Sequence, residues 1–337
     1  MSIDQRPFFL AKNEALREAS LDDDFLHPKQ NANVHGDSLT ETQYLGISAP
    51  EHGIHGMGYL WHHPNLKVVS GGIWVFKGVN TNMLDSEMVD MRMFMSDRVL
   101  ENDLRRYRLE SGYGVEVVKP LEHLHLTYDD APRGNRADLH YTAVTPPVMF
   151  GDGNHFEQTL RVRGELSLRG QTYKVDTYNV RDRSWGKLRS ENPMTLPPTS
   201  WCTGAFNDDL SFNCNIFDHA FDNQHVDSRL AMPAEQALNG GWVWRNGRFR
   251  RIVKALKQAR REPGSHVVRE LSLAMTDEDG RTLGVRGQLV ASSPWNTWPN
   301  TKISIGLMRW ETDDGLVGHG DCQDLVWTDY FHASRSA

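Results

Sequence analysis

Leu160-Arg161-Val162-Arg163-Gly164-Glu165-Leu166-Ser167-Leu168, then Arg169-Gly170, then Gln171-Thr172-Tyr173-Lys174-Val175-Asp176-Thr177-Tyr178, carries the strand pattern from which the rest of the chain can be read. Leu160, Val162, Leu166 and Leu168 fall on alternate positions, with Arg161, Arg163 and Glu165 between them. A period of two puts apolar side chains on one face of a strand and charged ones on the other. Arg169-Gly170 supplies a turn, and Tyr173 to Tyr178 resumes the alternation. Two antiparallel strands joined by a tight turn follow from these residues alone.

The same pattern extends in both directions. Upstream, Val69, Ile73 and Val75 alternate within Lys67 to Lys77, and Gly71-Gly72 predicts a bulge or kink. Leu124, Leu126 and Tyr128 alternate with His123, His125 and Thr127, and Leu139, Tyr141 and Ala143 repeat the style before Pro146-Pro147. Downstream, Trp201 to Phe206 turns at Asn207-Asp208-Asp209 into Leu210 to Phe217. Gly241 to Arg245 turns at Asn246-Gly247, a strong hairpin signal. Val267 to Thr276 turns at Asp277 to Gly280 into Thr282 to Ala291, and Lys302 to Glu311 turns at Asp313-Asp314-Gly315 into Leu316 to Tyr330. Long amphipathic helices between strands are missing, so parallel α/β folds are disfavoured and antiparallel barrels or sandwiches are expected. Asn82 to Glu110 reads equally as a helix or as two charged strands, and a short helix is expected over Asn13 to Ser20.

Bulk properties narrow the function classes. A chain of 337 residues fits two domains or one large β domain. The boundary is expected between Gly170 and Tyr178, giving domains 1–172 and 173–337. No run approaches the roughly 20 apolar residues of a membrane span, and Met1 to Leu26 lacks a secretory signal pattern. A cytoplasmic protein is expected. A net charge of -7 argues against a nucleic-acid partner. The basic stretch Arg245 to Arg261, with Arg248, Arg250, Arg251, Lys254, Lys257 and Arg260, reads as a solvated surface segment, with an anion or lipid-headgroup patch as the alternative. Cys202, Cys214 and Cys322 contain no CxxC pair and sit in apolar strands, so buried thiols are expected rather than disulfides or zinc ligands.

Gly53, Gly56 and Gly58 form a loose G-x-x-G-x-G, but no strand precedes it and no helix follows, so these glycines read as turn positions and nicotinamide chemistry is disfavoured. Among the 15 histidines, His123 and His125 share a strand face and His62 and His63 follow Trp61. A metal set needs a third well-placed histidine or carboxylate, so hydrogen-bonded or solvated histidines and no metal are expected. The string Asn179-Val180-Arg181-Asp182-Arg183-Ser184-Trp185-Gly186 is the most specific in the chain. Residue chemistry alone reads it as a buried Asp182 pinning a turn, with Trp185 plugging a barrel end at a backbone bend set by Gly186.

Arg181-Asp182-Arg183-Ser184-Trp185-Gly186, with His155-Phe156-Glu157-Gln158 upstream, resembles the lipocalin-like carotenoid hydratases, also called the hydroxyneurosporene synthase or AttH-like superfamily. Glu51 to Tyr59, the Gly71-Gly72 strand and Arg309-Trp310 to Trp327 fit the same pattern. The likeness spans most of the chain, but only the Asp-x-Ser-Trp-Gly core is specific. Many relatives carry His where this chain has Arg183, so a histidine role does not carry over to that position.

The resemblance implies a mainly β fold of two consecutive lipocalin-like antiparallel β-barrel or sandwich units around an apolar cavity. It further implies a cofactor-independent hydratase or dehydratase for a hydrophobic terpenoid, steroid or isoprenoid-like alcohol or alkene. A non-catalytic carrier and an isomerase or pericyclase are the alternatives, since fold supports architecture more strongly than reaction. The partner expected is a hydrophobic small molecule, and a homodimer stays open. Such chemistry needs a carboxylic acid whose pKa an apolar site raises. Asp182 is the first candidate acid, Glu157 the second, and Trp185 the candidate π face for a cationic intermediate. Trp74, Tyr178, Trp201, His155 and Tyr59 are expected around the substrate. An ion pair between Arg181 and Asp182 would instead make that aspartate structural.

Overall fold

The structure is a computed structural model describing residues 16–149, 153–189, 196–219, 230, 232–295 and 300–335. It is nearly all β, as the alternation predicts. Two compact units emerge, one of residues 1–76 and 86–190, the other of residues 77–85 and 191–337. The expected division at 172/173 falls inside the strand Gln171–Leu188, which lies in the middle of the first unit's sheet, so the chain passes on only after that strand is complete.

The first unit is an open antiparallel sheet. Its order is Met88–Ser96, Val68–Lys77, Ile54–His63, Leu39–Ala49, Gln171–Leu188, His155–Leu168, Asn135–Ala143, His123–Asp130, Gly114–Lys119, Arg106–Arg108. The hairpin Leu160 to Tyr178 forms as read, with Arg169 and Gly170 at φ of 50° and 86° in its turn. The apolar set Leu160, Val162, Leu166, Leu124, Leu126, Leu139 and Tyr141 shares one core with Leu45, Ile47 and Leu60, and all are buried. Asn82 to Glu110 resolves as short 3-10 turns and strands, Met88–Ser96 among them. The helix expected over Asn13 to Ser20 lies partly outside the described residues, and Arg17–Glu18 within it is extended, paired to Val148–Met149. The register between Val68–Lys77 and Met88–Ser96 slips between Val69 and Gly71, the bulge that Gly71-Gly72 predicts.

One glycine reading needs correction. Gly53 does sit in a left-handed turn, but Gly56 and Gly58 lie within the strand Ile54–His63. They are needed for close approach: a Cβ at Gly56 would collide with the Trp74 carbonyl, and one at Gly58 with the Tyr113 ring.

The second unit is a closed barrel of eight antiparallel strands: Thr199–Asn207, Leu210–Phe217, Leu238–Arg245, Arg248–Arg261, Val268–Asp277, Thr282–Trp295, Thr301–Thr312 and Val317–Trp327. A short helix, Thr328–Arg335, follows the last strand. Asn246-Gly247 makes its hairpin with both residues at positive φ, 49° and 78°. The strand Arg248–Arg261 is basic and mostly exposed on one face, as expected, but Lys257 is not solvated. It is fully buried, donates to Ser200 Oγ and the Ile216 carbonyl at 3.0 Å, and pairs with Asp218. Arg261, also buried, binds Asp218 and Asp324. Burial alone requires such pairing, because an unpaired charge there costs several kcal/mol. The three cysteines are buried thiols side by side on adjacent strands, with Cys202 Sγ 3.8 Å from Cys322 Sγ.

Candidate functional site

Strand register assembles the site. Glu157 is directly opposite Asp182, Asp182 opposite Tyr44, and Tyr44 opposite Tyr59, so four adjacent strands place these residues in one row. The next row is His155, Ser184, Thr42 and Trp61. Directly opposed residues point to the same face with Cβ atoms about 4.5–5.5 Å apart. This is the face opposite the apolar core, because Arg181, Arg183 and Leu45 alternate with Asp182, Ser184 and Tyr44.

Within it, His155 Nε2 is 3.3 Å from Glu157 Oε1. The Thr42 and Ser184 hydroxyls meet at 2.8 Å, and an Arg189 guanidinium N–H donates to Ser184 Oγ at 3.4 Å. Tyr59 packs edge-on to Trp61, with ring centroids 4.4 Å apart. Burial pushes the Tyr59 phenol above its ordinary range, while Arg189 and a hydrogen bond with Thr42 pull the other way.

Asp182 stands apart from the other site carboxylates. Glu157 is fully buried and held by His155, whereas Asp182 is only partly exposed and, among the described residues, makes no hydrogen bond or ion pair. Desolvation raises its pKa to about 6, with Glu157 adding to the shift and His155, Arg189 and Arg183 opposing it. A carboxyl of that kind can hold a proton near neutrality and give it up.

Arg181 does not lock this aspartate. It projects to the other face, where its guanidinium binds Asp24 Oδ1 at 2.6 Å and Gln158 Oε1 at 2.7 Å. Arg183 binds Glu41 and the carbonyls of Asp24 and Phe25, both at 2.9 Å. Glu41 in turn accepts from His27 at 2.8 Å and Asn31 at 2.9 Å. Burial would raise the Glu41 carboxyl, but His27 and Arg183 hold it below its usual range. The segment Leu21 to Asn31 is thus clamped over the sheet by ions that the Arg-Asp-Arg string supplies.

Trp185 belongs to that second face. Its ring stacks on His27 at 3.7 Å and 3° and packs edge-on to Phe156 at 6.4 Å. The bend expected at Trp185-Gly186 is there: Gly186 has φ 63°, and pairing with Leu39–Ala49 slips between Ser184 and Lys187. The structure therefore does not bring Trp185 together with Asp182. Trp74 is fully buried, its indole N–H donating to Ser86 Oγ at 2.7 Å, on a strand three removed from that of Asp182. Tyr178 shares the Asp182 face four residues along the strand, beneath the Arg161 guanidinium at 4.6 Å. Trp201 is half-buried in the barrel of the second unit, on the face opposite Cys202. Of the residues named from sequence, then, Asp182, Glu157, His155 and Tyr59 come together. Tyr44, Thr42, Ser184, Trp61 and Arg189 complete the group; only the pairing of distant strands identifies them. In the second unit, a basin of about 520 Å³ is lined by Arg260, Glu262, Arg269 and Glu270 among others, and is too polar for an apolar ligand.

The fold defines a class: a lipocalin-like β protein of two units, one an open sheet and one a closed barrel. Residues 21–328 match the family described as Domain of unknown function (DUF7064), and the chain belongs to it. No curated protein matches the sequence. Among solved structures, kievitone hydratase from Nectria haematococca is similar with a TM-score of 0.52 at 9% identity, over 97% of this chain and 100% of that one. CghA gives a TM-score of 0.52 at 9% identity, over 96% and 97%. An AttH-like protein of Nitrosomonas europaea gives 0.50 at 9% identity, over 89% and 96%. At such identity these likenesses speak for the fold. No helix among the described residues is long and apolar enough to cross a membrane.

Proposed function

We propose that this protein is a cofactor-independent hydratase or dehydratase acting on a hydrophobic alcohol or alkene of terpenoid, steroid or isoprenoid type. One observation carries the reading: a largely buried Asp182 that makes no hydrogen bond or ion pair among the described residues, with its pKa raised to about 6, in a row with Glu157, Tyr44 and Tyr59. The fold shared with kievitone hydratase supports it.

In the dehydrating direction Asp182 protonates the substrate hydroxyl, the C–O bond breaks and water leaves. Loss of a proton from the adjacent carbon then gives the alkene. Glu157, oriented by His155, is the base for that proton. Hydration runs the same steps backwards, with protonated Glu157 giving its proton to the alkene carbon and the Asp182 carboxylate taking one from the attacking water. The rings of Tyr59, Tyr44 and Trp61 offer π faces to the intervening cation, worth about 2 kcal/mol or more where water is excluded. Trp185, on the other face, serves the scaffold by holding His27 beneath its ring.

The test is turnover of a panel of such alcohols and alkenes in oxygen-18 water. The reading expects label in an alcohol product with the native protein and none with Asp182→Asn at an unchanged fold. Binding of a panel member with no label and no new alkene would make the protein a carrier. A rearranged product without label would make it an isomerase.

A further inference from the structure

Leu124, Leu126, Leu139 and Tyr141 point into the core of the first unit, so the residues alternating with them point out. On the strand His123–Asp130 these include His123 and His125; on its neighbour Asn135–Ala143 they include Asp138 and His140. The two strands pair with His125 directly opposite His140. Four ligand-type side chains thus meet on one patch, the third and fourth donors that the His123-x-His125 pair alone lacks.

The distances fit a metal centre. One donor atom each of His125, Asp138 and His140 lies within 4.8 Å of the others. His125 Nε2 is 2.8 Å from Asp138 Oδ1, and His123 Nε2 is 3.0 Å from His140 Nδ1. Ligands on a tetrahedral zinc, at metal–ligand bonds of about 2.0–2.1 Å, stand roughly 3.3 Å apart. A cation therefore replaces the shared proton of the His125–Asp138 contact with small side-chain movements, while the His123–His140 contact is kept. The His125 and His140 rings already lie parallel, 4.2 Å apart.

Two arginines flank the patch, each turned to a carboxylate. Arg163, opposite His140 in register, is turned to Asp176, with Nε 3.1 Å from its carboxylate. Arg136 approaches Asp138 from the outer side at 3.4 Å, through the oxygen that His125 does not use. Glu116 lies opposite His125 on the next strand.

We infer that His125, Asp138 and His140 form a surface site for a borderline divalent cation of the zinc class, with His123 orienting His140 from behind. Imidazole nitrogens with one carboxylate select zinc, copper or nickel over magnesium or calcium. A histidine ligand ordinarily gives its second ring nitrogen to an outer partner, the position His123 occupies. The site cross-links two neighbouring strands and stands apart from the Asp182 row, so neither reading depends on the other.

Tag-free full-length protein, stripped with a chelator and dialysed, is titrated with zinc chloride by calorimetry and with cobalt(II) by visible absorption. The expected result is one equivalent bound at micromolar affinity, with the absorption of a four-coordinate cobalt ion. Affinity falls at least tenfold in His125→Ala, Asp138→Asn and His140→Ala, and about tenfold or more in His123→Ala. Zinc also raises the Tm of the native protein and not of the His125→Ala/His140→Ala double variant. No saturable binding, or equal affinity in the double variant, overturns the site.

Discussion

At the scale of single residues, the proposed chemistry and the expected pH dependence both rest on Asp182. Its carboxyl binds a proton more tightly in the folded chain than in the unfolded one, since burial lifts its pKa to about 6. Between about pH 4 and pH 6 the native state therefore holds more protons, and this residue's contribution to stability declines as pH rises through that window. Above pH 6 the cost is complete, on the order of 1–2 kcal/mol once partial exposure is allowed for. Asp182→Asn should then match the native protein in stability at pH 4 and exceed it at pH 7, as denaturant titrations at the two pH values will show. Equal stability at both would mean that the carboxyl is solvated normally. In the proposed reaction the same variant loses activity by at least a thousandfold, while Glu157→Gln lowers kcat and moves the apparent acid pKa of the rate profile downward, because the Glu157 charge adds to the rise at Asp182.

At the scale of elements, the Arg-Asp-Arg string works because a strand alternates. Arg181 and Arg183 face Asp24 and Glu41 on one side, and Asp182 faces Glu157 and Tyr44 on the other. Replacing Asp24 by Ala leaves Arg181 buried without its counter-ion and removes the tie on Leu21 to Asn31. We expect a loss of about 3–5 kcal/mol in urea unfolding. A loss below 1 kcal/mol would show that the segment is held by packing alone.

The strand alternation itself was legible: Leu160, Val162 and Leu166 gave the hairpin and Asn246-Gly247 its turn, while Asp182 and Glu157, which the family resemblance singled out, lie directly opposite each other. The partner Asp24 was not legible, because it lies 157 residues from Arg181 and no local pattern joins them. Trp185 was misplaced for a related reason. Three residues from Asp182 in a strand puts a side chain on the opposite face, and the string invited reading them as one cluster. Gly56 and Gly58 look like turn glycines in a row of three, and only the approach of Trp74 and Tyr113 reveals them as strand glycines.

At the scale of the whole chain, two β units solve the problem of buried charge separately. The first clamps its N-terminal segment with Arg181 and Arg183; the second encloses Asp218, Asp324, Lys257 and Arg261 within its barrel. Burial would raise the Asp218 carboxyl, yet Arg261 and Lys257 hold it low. Lys257→Met should therefore destabilise the second unit by about 3 kcal/mol or more, read as a lowered thermal transition, because Asp218 then keeps one cation in place of two. Alternation gave the β class but hid this quartet: Lys257 sits in a basic run that reads as a wet surface. The division at 190/191 was hidden as well, because Gln171–Leu188 continues a hairpin whose sequence offers a turn, not a linker.

Carbon-13 NMR titration of aspartate-labelled protein, with Asp182→Asn used to assign the signal, needs no substrate and goes to the acid on which the proposed reaction turns. A carboxyl resonance missing in the variant and titrating near pH 6 is the predicted result. A resonance titrating at or below pH 4 would leave no neutral acid at physiological pH, and the hydratase reading would fail with it.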